Sequence, residues 1–177
     1  MRKYSISLSD IEAHLQDLKK LEKNLTNILK EVIDDSLQEG KQLIISKGEE
    51  VSKYGGNAYI NTQFEPTKQE GNKLVGRIIT QGKKAVFNEY GTGIVGASSP
   101  HPNIPSDWIY DVNSHGEKGW WYPTDESDTN PYKWVDENGQ LRAWTKGIEA
   151  RAVHYEANKE IRKLIKKKIR QRLGGNK

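Results

Sequence analysis

The sequence predicts an α+β domain, on three observations. A long stretch with helical periodicity opens the chain, a middle region changes to a two-residue period, and a basic helical stretch closes it. With 177 residues there is room for one ordinary domain and hardly for two separate cores, so a single unit spanning 1–177 is expected.

The first element is read from Ile11, Leu15, Leu18, Leu21, Leu25, Ile28, Leu29 and Val32, which recur at three- and four-residue steps and so share one helical stripe. Ser9-Asp10-Ile11-Glu12 has the form of a capping box. The helix is expected from about Asp10 to Leu37, continuing through Gly40 to Ile45. Packing on the domain's own sheet is one reading of its apolar stripe. The strict heptad of Ile11, Leu18, Leu25 and Val32 also allows a coiled coil with a neighbour. Gly48 and Gly55-Gly56 are expected to break it.

A small antiparallel sheet of about three to five strands should follow. Ala58 to Phe64 and Lys73 to Thr80 alternate as strands, with hairpin-turn residues at Gln69-Glu70-Gly71-Asn72. Lys84 to Tyr90 reads as a third strand. Leu74 and Ile78 point to one face and Val75 and Ile79 to the other, so helices would cover one side and partner subunits the other. From Gly91 to Tyr132 regular patterning disappears. Pro100, Pro102, Pro105, Pro123 and Pro131 fall there with Trp108, Trp120 and Trp121, a content that suits either the edge of a sheet or an interface. Lys133 to Trp144 reads as a second hairpin turning at Asn138-Gly139. A last helix should run from Val153 to Leu173 and stop at Gly174-Gly175.

Charge is distributed unevenly. Residues 151–177 hold ten Lys or Arg and two Glu, a local charge of +8, against −4 for the rest. Arg162, Lys163, Lys166, Lys167, Lys168, Arg170 and Arg172 crowd the last helix, where they could contact DNA phosphates or an acidic surface of another copy. Without aromatic interleaving or a helix-turn-helix partner, sequence reading of nucleic acid is not expected. Cysteine is absent, which removes disulfides and thiolate metal sites. No apolar run is long enough to cross a bilayer, and Met1-Arg2-Lys3-Tyr4-Ser5 leads into a polar helix, so neither membrane span nor secretion leader is expected.

Catalytic and metal patterns are weak throughout. His14, His101, His115 and His154 have no ligand spacing. Asp125, Glu126 and Asp128 lack the residues that close a calcium loop. Gly91-Thr92-Gly93 lacks the rest of a phosphate-binding pattern, and Ser98-Ser99 lacks a nucleophile elbow. Asp107 and Asp111 pair without a supporting set. No catalytic residue, cofactor or metal is expected.

Two separated segments are more specific. Ala85-Val86-Phe87-Asn88-Glu89-Tyr90-Gly91-Thr92-Gly93 resembles the "aromatic or Val, x, Glu, Phe or Tyr, Gly, Thr, Gly" signature of a tail-component family of long-tailed bacteriophages, typified by the tenth gene product of a lambdoid coliphage. Trp144 to Ala157 is similar to that family's "G-x-P-A-R-P-F-x-x-x-A" approach to its last helix, matching at Gly147, Ala150, Arg151 and Ala157, with Tyr155 inside the segment. Glu149, Ala152 and Val153 depart from its Pro, Pro and Phe, and Gly55-Gly56-Asn57-Ala58 replaces its turn before the first strand. The Trp-rich loop, with Gly119-Trp120-Trp121-Tyr122, looks like an insertion of members from Gram-positive hosts.

The resemblance implies a non-enzymatic virion protein of the tail or neck, made in the host cytoplasm. It would join the head connector to tail-terminator or tail-tube proteins as a homo-oligomeric, six-fold ring. Phe87, Glu89, Tyr90, Gly91, Thr92, Gly93, Gly147, Ala150, Arg151 and Tyr155 would be its motif and interface residues. Glu89 would sit at a strand edge, open to a basic group. The other reading is a basic nucleic-acid-binding accessory protein acting through the last helix.

Overall fold

A computed structural model describes residues 7–51 and 57–174. The expected Gly55-Gly56 break and the final Gly175 lie outside those residues. The architecture is α+β: a 44-residue helix α1 (Leu8–Val51), a hairpin of β1 (Thr62–Glu70) and β2 (Lys73–Thr80), and short helices α2 (Lys83–Tyr90) and α3 (Gly93–Ser98). A one-turn 3-10 helix (Gly116–Lys118) leads to β3 (Trp120–Pro123), β4 (Lys133–Val135), β5 (Leu141–Thr145), a two-residue β6 (Gly147–Ile148) and helix α4 (Val153–Leu173).

Helix α1 starts at Leu8, two residues before the expected Asp10. Ser7 and Asp10 form the capping box instead: the Asp10 amide donates to Ser7 Oγ at 3.2 Å, and the Ser7 amide donates to Asp10 Oδ2 at 3.0 Å. The Ser7 hydroxyl, which donates to Asp10 Oδ2 at 2.6 Å, and then the Ser7 amide hold the exposed Asp10 carboxyl below its ordinary range. At its other end the helix passes through Gly48 without breaking. Val32, Ser36, Gly40, Ile44 and Gly48 occur at four-residue steps and make one buried row, in which the small members admit their neighbours. A Cβ on Gly40 would stand 2.4 Å from the Ile161 side chain, and one on Gly48 would come equally close to the Tyr59 ring. Both glycines are therefore packing residues, not helix breakers.

Only the second half of α1 belongs to the body. The β1–β2 hairpin crosses it through Gly76, whose missing Cβ makes room for Leu37 and Ile33. Helix α4 runs antiparallel to it, held by Lys168 to Glu39 at 2.6 Å and Arg172 to Glu31 at 3.4 Å. The core at this junction is Ile44, Tyr59, Ala85, Val153 and Ala157. A chain of hydroxyls extends it: Thr62 Oγ1 donates to the Tyr59 carbonyl at 2.6 Å, lies 2.6 Å from Thr80 Oγ1, and Thr80 in turn lies 2.7 Å from His154 Nε2. Burial, then the charge of Glu89, push the Tyr59 phenol well above its usual value.

Strand β1 begins at Thr62, not Ala58, because 58–61 form a turn in which Asn57 Oδ1 accepts from the Tyr59 amide at 2.9 Å. A bulge between Glu65 and Lys68 interrupts the ladder, and there the Thr67 amide donates to Asp34 of α1 at 2.7 Å. One face of the hairpin is covered by helices. The opposite face is solvated, with Arg77 paired to Glu70 at 2.9 Å and Ile79 exposed.

Lys84 to Tyr90 is helix α2 and not a third strand. The second sheet is instead β3-β5-β4, all antiparallel, and it draws β3 out of the region expected to be irregular. The second hairpin turns where expected: Gly139 has φ +75° and its amide donates to the Asp136 carbonyl at 2.9 Å. Among the described residues no helix is long and apolar enough to cross a membrane.

Gly48→Ala should lower the urea midpoint by an amount equivalent to about 2 kcal/mol, because the new methyl must displace a fully buried tyrosine ring. Equilibrium unfolding followed by circular dichroism checks this; an unchanged midpoint would contradict the close approach.

Candidate functional site

The two motif segments, more than fifty residues apart in sequence, meet in one joint. Thr92 and Gly93 bridge Ile148 and Gly147, and the Arg151 and Ala152 amides donate to the Asn88 and Glu89 carbonyls at 2.7 and 3.2 Å. The backbone positions explain the glycines. Gly91, Gly93 and Gly147 have φ of +80°, +62° and +107°, which favours glycine. Space is equally restrictive, since a Cβ on Gly93 would lie 2.3 Å from the Lys146 carbonyl oxygen. Gly91 and Gly93 permit a sharp turn at the end of helix α2, and Gly147 one between β5 and β6.

Glu89 is the centre of the joint and the largest departure from expectation. It is buried, and from α4 it receives backbone amides instead of a basic side chain of that helix. Its Oε2 accepts from the His154 amide at 2.8 Å and its Oε1 from the Tyr155 amide at 3.0 Å, so the carboxylate caps the first turn of α4 from another helix. The position needs an outside cap. Ala152 at the N-cap has a left-handed conformation (φ 51°, ψ 38°) and no side chain able to accept. A negative group there also complements the helix dipole.

His101 completes the set and had no signal in the sequence beyond its place between Pro100 and Pro102. Its Nδ1 accepts the Asn103 amide at 3.0 Å, which leaves the proton on Nε2 to donate to Glu89 Oε1 at 3.2 Å. The Tyr90 and Tyr155 rings pack edge-on to His101, at centroid distances of 4.9 and 5.3 Å. Side chains of Glu89 and His101 are 8% and 4% exposed, so the pair is shielded from solvent by these rings and cannot meet a substrate without rearrangement.

The remaining motif residues serve the same joint. The Thr92 hydroxyl accepts from the Ile148 amide at 3.3 Å, and the Ala150 amide donates to Ser99 at 3.3 Å. Arg151 pairs with Glu149 at 2.5 Å. Phe87 is exposed on α2 and lies 6.5 Å from the Trp108 ring. Trp108 also packs on Tyr90 at 5.1 Å, and Trp120 stacks on His115 at 4.9 Å with its ring edge against Gly93. Those two tryptophans cover the joint. Trp121 differs: it is exposed on β3, edge-on to Trp134 at 5.9 Å.

Two of the three acids considered for a cation have other partners, and Asp125 accepts from the Ser127 hydroxyl and amide. Asp128 accepts from Tyr122 and Thr124 hydroxyls and the Asn130 amide, bonds that outweigh burial and hold its carboxyl low. Asp111 accepts from Gly116 and His115. Among the described residues no group of three or more His, Asp or Glu stands close enough to hold a metal ion.

The basic helix divides into two sets. Lys168 and Arg172 are tied to α1, and Lys163 pairs with Glu160 at 3.0 Å, while Arg162 donates to Asn158. Lys166, Lys167 and Arg170 have no carboxylate partner among the described residues and line, with Lys163, a shallow solvent-open depression. Comparison with protein-family models, curated proteins and solved structures gives no match.

Glu89→Ala should strand two amides at the start of α4 and lower stability by about 2 kcal/mol, with α4 amides losing hydrogen-exchange protection first. His154 supplies a pH test. Burial holds its imidazole below the ordinary value, against an upward pull from Glu89. The unfolded chain therefore takes up a proton near its usual value of about 6.5 while the folded chain resists, so stability is complete above that pH and falls as pH drops below it. Urea midpoints at about pH 7.5 and 5.5 should differ more for the natural chain than for His154→Gln.

Proposed function

We propose that this chain is a non-enzymatic structural protein of the neck or tail of a long-tailed bacteriophage, joining the head connector to the tail as one subunit of a homo-oligomeric ring. One observation carries the reading. The two segments that resemble the tail-component family form a single built joint, with Glu89, Gly91, Gly93 and Gly147 each at a position that demands its residue type. A chance match to two short patterns has no reason to place them in contact. Glu89 shielded from solvent fits a scaffold better than a reaction centre.

Its partners would be connector, tail-terminator or tail-tube proteins and further copies of itself. The second reading, a nucleic-acid-binding accessory protein, rests on Lys166, Lys167 and Arg170. In the ring they would give loose phosphate contact with passing DNA.

Two experiments separate the readings. Phage lacking this protein should yield filled heads and tails that are unattached in electron micrographs; normally joined particles would refute the neck assignment. Lys166→Glu, Lys167→Glu and Arg170→Glu together should abolish salt-sensitive DNA retention if the accessory reading holds, and should leave joining intact if the ring reading does.

A further inference from the structure

Among the described residues, nothing covers the first eighteen residues of α1. Helix α4 ends beside Glu31, and every residue from Leu8 to Leu25 is exposed, so about 27 Å of helix projects beyond the body. Its charged side is ordinary, but its apolar side is not. Leu8, Leu18 and Leu21 are 81%, 61% and 64% exposed, and Ile11, Leu15 and Leu25 are close to half exposed. A stripe of this size on a projecting helix calls for a covering surface.

We propose that this arm packs antiparallel against the same arm of a second copy of the chain. Positions 8, 11, 15, 18, 22 and 25 alternate steps of three and four residues, the spacing of a coiled-coil seam, and Glu22 alone among them is charged. Orientation follows from that residue and from its flanks. A parallel pair sets Glu22 against its own copy inside the seam, with Glu12 and Lys19 opposite Ser7 and His14. An antiparallel pair in which Leu15 meets Leu18 places Leu8 beside Leu25 and Ile11 beside Glu22. It also brings Glu12 of each copy to Lys19 of the other, twice, by symmetry. The larger charge pattern agrees: Asp10 and Glu12 make the first half acidic, while Lys19, Lys20 and Lys23 outweigh Asp17 and Glu22 in the second. The apolar residues expose on the order of 600 Å² per arm, so pairing removes roughly 1,000 Å² from water, the floor for a specific interface.

The contact is two-fold and joins like surfaces, whereas a cyclic ring needs two unlike ones. It therefore does not rest on the neck reading, and loss of either leaves the other standing. The test is sedimentation equilibrium of the full chain from roughly 1 to 100 µM, a range that spans weak and moderate association. The natural protein should move from its 20.2 kDa monomer towards twice that mass. Leu15→Asp with Leu18→Asp should stay monomeric with an unchanged melting of the body. Glu12→Lys or Lys19→Glu alone should weaken association about tenfold, and the two together should recover it. Because the chain has no cysteine, Leu15→Cys mixed with Leu18→Cys reports orientation directly: antiparallel arms cross-link the two variants to each other, parallel arms cross-link each to itself. A monomer throughout the range, an assembly untouched by the two aspartates, a charge swap without recovery, or self-cross-linking overturns the proposal.

Discussion

The buried carboxylate of Glu89 is the interaction on which the body depends. Removing a charge from water is costly, and it is tolerated only where donors replace the lost solvent. Here three donors do so: two amides at the start of α4 and the imidazole of His101. Each is itself fixed by the fold, since the amides belong to a helix that Val153, Ala157 and Ile161 anchor in the core, and His101 is oriented by the Asn103 amide. The carboxylate thus ties α2, the proline-rich loop and α4 at one point. With α4 placed, Ile161 can enter the gap left by Gly40, and Lys168 and Arg172 can reach α1.

This interaction also explains where sequence reasoning succeeded and where it failed. Helix α1, the Asn138-Gly139 turn and the span of α4 were legible because each depends on local chemistry: a periodic stripe, a residue able to take positive φ, a run of good helix formers. Helix α2 was not. Its inward positions include Ala85 and Glu89, one turn apart, and a glutamate contributes nothing to an apolar stripe. What remains visible, Val86 and Phe87 among polar neighbours, imitates a short strand. The information that makes Glu89 an inward residue lies in α4, more than sixty residues away. The same reasoning applies to Gly48, read as a breaker because its partner, Tyr59, is recognised only once the chain has folded back.

The candidate site was legible in part for the same reason. Gly91, Gly93 and Gly147 stand out in a sequence because backbone geometry restricts them, whatever their role. His101 does not, because its value lies in one ring nitrogen facing a carboxylate from a different element. Nor could the tryptophans be sorted by pattern. Trp108 and Trp120 turn inward to roof the joint, while Trp121 faces solvent beside Trp134, a difference set by strand register and loop path.

A local +8 at the chain end reads as a strong anion-binding surface, yet part of it is internal. Lys168 and Arg172 neutralise Glu39 and Glu31 across the α1–α4 seam, and at their partial exposure such pairs contribute at most about 1 kcal/mol each. Their larger effect is on register, since they fix which turn of α4 meets which turn of α1. The cations left over, Lys166, Lys167 and Arg170, lie on the outer side, within a Debye length of about 8 Å at physiological salt for any phosphate that touches them. A helix that spends one side on its own domain and keeps three or four cations outside suits loose contact with a passing polyanion. It does not suit sequence-specific grip, which needs polar side chains aimed at base edges from a groove-filling element.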